Sequence, residues 1–410
     1  MTTLEALADF VHRLDLGELS SERCDRLELH LLDTLGAGRA GATTEEGKKL
    51  RAVAAEPASL AANVAMTRAT EMDDIHVASC TTPGSVVVPA ALSLDTESPS
   101  TFLAALAAGY ELMIRLGLAI DGPAVLARAV WPTFFAAPLG SAAVASRILG
   151  LTVEQTAGAF ASALAVTSGT AVPPMPVSTS RWLTLGWAAE SGVRAAKAAS
   201  SGILGPSDIL ERVGFRLAGV EIVKDALVDG LGERYHLDEL GLKPYPVARQ
   251  ALAAVEACRE LREAHELDAS TIDAIVVEVP AAQRAVIDRP DVPTTRFASI
   301  VSVQYQAALA LCAPEKLLDV ARAPVFLSDE LQRLMSRVRI ASSAELDPLY
   351  PCIWPARVII RRGGDELVSE IRHPRGDPES DFSWDDVIAK YQELDPALHE
   401  EVRRFTTRPR

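Results

Sequence analysis

Apolar side chains recur every three to four positions along most of the first 265 residues, the period that lines one face of a helix. They alternate singly only beyond about residue 270. Residues 4–36 predict two helices. In SSERCDRLELHLLDTLGAG (20–38), Leu27, Leu31, Leu32 and Leu35 share a face, the serines offer N-caps, and Gly36 and Gly38 predict the stop. Thr44 is placed to cap a helix over TEEGKKLRAVAAE. PSTFLAALAAGYELMIRLGLAI (99–120) predicts a long amphipathic helix capped near Ser100, with Glu111 and Arg115 spaced for an i,i+4 pair. Residues 134–170, rich in Ala, Gly, Ser and Leu, predict two buried helices, because small side chains let helix axes approach closely. GWAAESGVRAAKAASSGILGPSDIL and PVARQALAAVEACRELREAHEL, the second starting just after Pro246, continue the helical pattern.

The period then changes. IDAIVVEVP (272–280) alternates and is β-branched, as a strand is. IVSVQYQAALAL and SDELQRLMSRVRI look helical, and ARVIIRRGGDELVSEI (356–371) predicts a hairpin turning at Gly363-Gly364. SWDDVIAKYQELDPALHEEVRRF (383–405) is helical again, and no repeat of 20–50 residues is present. The pattern therefore predicts a helical body of about 265 residues followed by an α+β module of about 110.

Composition narrows the function classes. Apolar residues make up 49% of the 410, which suits a globular protein with a sizeable core, and the 5% aromatic content with abundant alanine favours packed helices over a β-sandwich. A net charge of −15 leaves no basic footprint for nucleic acid. The most apolar tract, 134–166, is broken by Gly140, Arg147, Glu154 and Gln155, so no membrane span is expected. The charged N-terminus lacks the apolar stretch of a signal peptide. Cys24, Cys80, Cys258, Cys312 and Cys352 are dispersed without a CxxC pair, which points away from a zinc site and toward a reducing, cytoplasmic setting.

The densest chemistry is TEMDDIHVASCTTPGSVVVPAAL (70–92), with three carboxylates and a histidine in front of an apolar run. Together with LLDTLGAGRAG, Asn63, AAGYELMIRLG, GWAAESGVRAAKAASSGILGPSDILE, KPYPVAR, RFASIVSVQYQAALAL and HPRGDPESDFSWDDVIAKY, in that order and spacing, it resembles the MmgE/PrpD family, which includes 2-methylcitrate dehydratase, cis-aconitate decarboxylase and an iminodisuccinate epimerase. The resemblance implies a large all-helical domain over 1–267, completed by a C-terminal helix at 383–410, with a smaller α+β lid over 268–382. It implies a homodimer with a pocket between the domains, no metal and no organic cofactor. The implied chemistry is proton transfer beside a carboxylate of a small carboxylic acid.

Carried over residue by residue, Glu71 stands at the catalytic Asp position, while Asp73, Asp74 and His76 match the Asp-Asp-Thr-His stretch. Arg68 takes the first His position, Thr82 the His of His-Pro-Gly, and Trp131 the His of His-Pro-Thr. Arg181 stands for a Lys and Thr184 for a His, while Lys243, Tyr245 and Arg249 are kept and Leu252 replaces another His. Glu71, Asp74, His76 and Lys243 are thus the implied catalytic set. Arg68, Asp73, Thr82, Trp131, Arg181, Tyr245 and Arg249 are the implied substrate contacts. The chain has seven histidines and only His76 falls in a motif, so the usual relay for neutral-pH proton transfer is depleted while the cationic anchors survive. Trp131 suggests a substrate less polar than methylcitrate, with an alkyl arm.

Each residue also has a structural reading. Asp73 and Asp74 could cap a helix or pair with an arginine, His76 could be a hydrogen-bonded structural histidine, Lys243 a loop lysine, Arg249 an ion-pair partner and Glu71 a surface glutamate. Tyr305 reads as core, and nothing near Cys80 would activate it. Three functions stay open: a dehydratase or decarboxylase, an isomerase or cyclase on a related carboxylate, and a non-catalytic member that kept the fold.

Overall fold

The structure, a computed structural model, describes the chain except residues 54–58, 129, 168–179, 213–215, 217–218, 321–324, 381, 393–397 and 406–410. The chain begins with α1 (Thr3–Arg13), α2 (Ser21–Thr43), α3 (Glu45–Val53), α4 (Leu60–Ala69), the short strand β1 (Ile75–His76), α5 (Gly84–Leu92), α6 (Pro99–Ala119), α7 (Gly122–Ala127), α8 (Pro132–Ile148), α9 (Val153–Val166), α10 (Ser180–Ser200) and α11 (Lys224–Val228), and the helices of this series build the first core. After β2 (Leu240–Gly241) come α12 (Arg249–Ala264), β3 (Ala274–Val279), α13 (Ala281–Ile287), α14 (Arg296–Val301), α15 (Val303–Cys312), α16 (Asp329–Arg337), β4 (Val338–Ser342), β5 (Ala356–Arg362) and β6 (Asp365–Ile371). The chain closes with α17 (Trp384–Tyr391) and α18 (Leu398–Val402), which lie on α2. The fold is mainly α with a smaller α+β part, as the hydrophobic pattern predicts.

Local chemistry sets the helix starts. Side-chain oxygens of Thr2, Ser20, Ser59, Ser98, Thr152 and Ser383 accept N–H groups of the first turn of the helix that follows each. α2 does not stop at Gly36 and Gly38 as expected but runs on to Thr43. The Tyr391 ring lies against the Gly36 backbone, 2.3 Å from where a Cβ would be, so tertiary packing carries the helix through residues that cost only about 1 kcal/mol each. The two buried helices expected over 134–170 are α8 and α9, and α8 also packs closely on α10, where a Cβ on Gly192 would meet Pro138 O at 2.1 Å. By length and composition α6 could cross a membrane, but it is 94% buried within the protein, as a core helix is.

The second core is a four-stranded sheet in the order β4-β3-β5-β6 with helices on one face. β3 and β4 are parallel, and the other pairings are antiparallel, with Val277 opposite Val358 and Ile340. Ile275, Val277 and Val279 point inward in strict alternation, so the period-2 pattern of the sequence is the buried face itself. α12, placed by sequence at the end of the helical body, packs instead on β5, β6 and α15. Its buried stripe from Ala251 to Leu261 is periodic, but periodicity does not say which core receives it. Among the described residues the two cores divide between Leu242 and Tyr245, and the buried Phe297 and Val320, the partly buried Val301 and Leu318 and residues from Phe382 onward return to the first.

Candidate active site

α4 ends at Ala69, and Glu71 then adopts a left-handed conformation (φ +57°), which turns the acidic segment back along the helix end. Ile75 and His76 pair antiparallel with Gly241 and Leu240. This two-residue ribbon brings residue 243 beside residues 71–73 across 170 positions of sequence. Four contacts fix it. Leu242 donates its N–H to Gly376 O (2.7 Å), and Gly376 (φ +96°) sits where a Cβ would meet Leu242 O at 2.2 Å. The ring of His76 spans Ser79 and Glu239, and Glu111 accepts the Leu237 N–H at 3.0 Å. The expected Glu111–Arg115 pair is fully buried at 3.2 Å, and Arg115 also donates to carbonyls of Asp229 and Arg234, pinning the strap that leads to β2.

A cavity of about 430 Å³ opens between the two cores. The described lining residues include five cationic side chains, Arg68, Arg181, Lys243, Arg249 and Arg289, and one carboxylate, Glu71. Arg68 Nη1 lies 2.7 Å from Glu71 Oε2 and 3.2 Å from Asp73 Oδ1, and Lys243 Nζ lies 3.7 Å and 3.5 Å from the same two oxygens. The guanidinium carbons of Arg68 and Arg181 sit 4.4 and 4.6 Å from the centre of the Trp131 ring, within cation–π range. Burial pushes Glu71 up, but Arg68, Lys243 and Arg181 outweigh it and hold the carboxyl at about 2. Asp73 moves the other way: burial dominates and, with Glu71 and Asp74 adding to it, raises its pKa against Arg68 and Lys243. Two neighbouring carboxyls driven apart is the electrostatic arrangement from which acid/base pairs are made. Burial lowers Arg181 to about 10, still charged at neutral pH, and pushes the Cys80 thiol up to about 12, so Cys80 is no nucleophile.

Residues 56–218 match the MmgE/PrpD N-terminal domain and residues 245–407 the MmgE/PrpD C-terminal domain. The chain belongs to the MmgE/PrpD family. Two curated relatives in the family are the cis-aconitate decarboxylase of Aspergillus terreus, 26% identical over 389 residues (87% of this chain and 77% of the relative), and that of Homo sapiens, 27% identical over 342 residues (75% and 70%).

Against the MmgE/PrpD resemblance, the structure brings Arg68, Glu71, Thr82, Trp131, Arg181, Lys243 and Arg249 to the cavity wall, with Asp73 directly behind Glu71. It does not bring Asp74, His76 or Tyr245 there. Asp74 is fully buried in the first core, where Oδ1 accepts the Gly84 N–H (2.8 Å) at the start of α5 and Oδ2 lies 3.1 Å from His30 Nδ1; it caps a helix. His76 Nδ1 accepts the Ser79 N–H (3.1 Å), which leaves the ring proton on Nε2, donated to Glu239 Oε2 (3.0 Å). His76 therefore clamps the β1–β2 junction from behind. His76, His236 and Glu239 also lie close enough together to hold an ion, and Ser79 Oγ, 2.9 Å from His76 Nδ1, could accept the proton that a metal at Nε2 would leave there. The Tyr245 hydroxyl accepts from Arg259 Nη1, outside the cavity. Tyr305 is core, its hydroxyl donating to Phe326 O.

Arg249 is both things the sequence allowed: Nη2 donates to both Asp377 oxygens at 2.6 Å, while the residue also lines the cavity. Sequence reasoning missed Gln283, Arg289, Tyr350 and Trp354, all from the second module. The signal available was a polar Gln283 within AAQRAVI, on a short helix that otherwise reads as an ordinary surface element.

Proposed function

We propose that this protein is a lyase that moves a proton beside the carboxylate of a small carboxylic acid, releasing water or carbon dioxide. The observation that carries the proposal is the Glu71–Lys243 pair on the cavity wall, one carboxylate and one ammonium 3.7 Å apart, flanked by Arg68 and Arg181. A substrate carboxylate entering this site competes for the same cations. Each hydrogen bond it takes from Arg68 or Lys243 removes stabilisation from ionised Glu71 and raises its proton affinity, so the base is activated by binding. In a dehydration, Glu71 takes the proton from the carbon beside the carboxylate, and the β-hydroxyl leaves with a proton from Lys243. In a decarboxylation, the carbon–carbon bond electrons pass to the remaining acid as an enolate, held by Arg181 and Lys243 and then protonated by the Lys243 ammonium. The mostly apolar remainder of the wall, including Val130, Trp131, Val286 and Phe297, supports a substrate with an alkyl arm. The family membership and the decarboxylase relatives support the lyase class.

A second reading has its own observation. Base and acid stand on the same wall, so a proton can be taken and returned on one face of the substrate, which is isomerisation. Mass separates the two, because only a lyase product is lighter by water or carbon dioxide. The test is proton NMR in deuterium oxide with cis-aconitate, 2-methylcitrate and alkyl-substituted analogues. The expected result is a new olefin or a decarboxylated product on at least one of them, abolished in Lys243→Met. Turnover that survives Lys243→Met in the folded protein would remove the site from the chemistry.

A further inference from the structure

Two polar networks share the cavity without touching. Among the described residues, Arg68, Glu71, Asp73 and Lys243 bond among themselves, whereas Arg249 pairs with Asp377. On the second network three features coincide. Arg249, 3% exposed, spends Nη2 on Asp377 and leaves Nε and Nη1 with no partner among the described residues. Gln283, 1% exposed, lines the same cavity with neither side-chain amide atom partnered among the described residues. α12, against which α13 packs, opens at this wall through Ala248, Arg249 and Gln250, and its N-cap is an alanine with no side chain able to cap it. Buried amides and guanidinium N–H groups without protein partners are costly, and an uncapped helix start attracts negative charge. Arg289, whose guanidinium donates to the Asp288 and Ala285 carbonyls, adds a further positive charge to this wall.

We infer that Arg249, Gln283 and the N-terminus of α12 form a second subsite that binds a distal carboxylate of the substrate. Arg249 and the helix start supply charge and N–H donors, and the Gln283 amide adds a directional donor. The reading deepens the proposed function and rests on it: the first carboxylate lies at Arg68, Arg181 and Lys243, and the second at this wall. The preferred ligand is a diacid whose carboxylates are separated by an apolar spacer that lies along Trp131 and Val286. Gln283 is then a specificity residue, with no part in proton transfer.

The test is calorimetry on the full chain with unbranched α,ω-dicarboxylates from succinate to suberate, each against the monocarboxylate of equal length. At one spacer length the diacid should bind at least about tenfold tighter than its monoacid. Gln283→Met, which removes two unpaired polar atoms and so should fold, is expected to erase most of that gap while leaving monoacid affinity within about twofold. Arg249→Met with Asp377→Asn, which avoids stranding a buried carboxylate, should do the same. Monoacids that bind the unaltered protein with no diacid advantage at any length overturn the subsite alone, as does an advantage that survives Gln283→Met. Failure of monoacids and diacids alike to bind overturns the proposed function, and the subsite with it.

Discussion

Glu71 keeps its charge in a nearly dry setting because three cations surround it, and that has a measurable price in acid. Its folded pKa of about 2 lies below the ordinary 4.5, so the stability it contributes is present above about pH 4.5 and is lost as pH falls toward 2. The size is on the order of 3 kcal/mol if Glu71 acted alone, and smaller in practice because Asp73 is displaced upward beside it. Urea unfolding at stepped pH should show this acid limb, and Glu71→Gln should flatten it. On activity, Lys243→Met should lower kcat by about 10²–10⁴-fold with far-UV circular dichroism unchanged, as expected for loss of a proton-transfer group. At this scale the sequence was informative for residue type and misleading for direction. Arg68, Glu71, Lys243 and Arg249 were legible because the MmgE/PrpD resemblance aligns their positions with its site residues. Asp74 and His76, embedded in the same acidic run, turn away from the cavity into a helix cap and a strand clamp, and no spacing rule distinguishes Asp73 from Asp74 before the left-handed turn at Glu71 is known.

The element that decides the site is the smallest in the protein, the two-residue β1–β2 ribbon. It was not legible in the sequence, since four residues carry no periodicity, and it depends on Gly376 more than a hundred positions later. Gly376→Ala would place a methyl group against Leu242 O in a conformation that L-residues avoid, so a loss of roughly 2–4 kcal/mol is expected by thermal or urea unfolding. Because Leu242 adjoins Lys243, kcat should fall more than the folded fraction does under conditions where the variant remains folded. His76 belongs to the same junction. Burial lowers its pKa from 6.5 despite Glu239, so below about pH 6.5 the unfolded chain takes up a proton that the folded one refuses. Stability therefore rises with pH through that window, and His76→Phe should remove this dependence in a pH series of unfolding midpoints. The longer elements were legible because their apolar stripes are long. The error in α2 came from reading Gly36 as a terminator when it is a contact point for Tyr391.

At the scale of the molecule, the sequence conveyed two hydrophobic periods and hence two kinds of core, but not where the chain crosses between them. α12 has a helix stripe that would suit either core, and the boundary was expected beyond it; the structure divides the cores about 25 residues earlier, near Lys243. The C-terminal helix ties back through a buried pair, Lys390 Nζ to Asp33 Oδ1 at 2.6 Å, with Lys390 also donating to Met72 O within the acidic segment. Lys390→Met strands Asp33 in the core and should cost about 3–5 kcal/mol, whereas Lys390→Met with Asp33→Asn should recover much of it; a chemical denaturation series on the two variants checks this. Lys243 occupies the seam itself, the last ion-paired residue before the chain enters the second core. Should the two cores rock against each other, Lys243 is tethered to Glu71 and Asp73 and stays with them, while the wall carrying Arg249 and Gln283 swings. Opening and closing would then meter how long a substrate dwells, with the proton-moving pair already assembled in both positions.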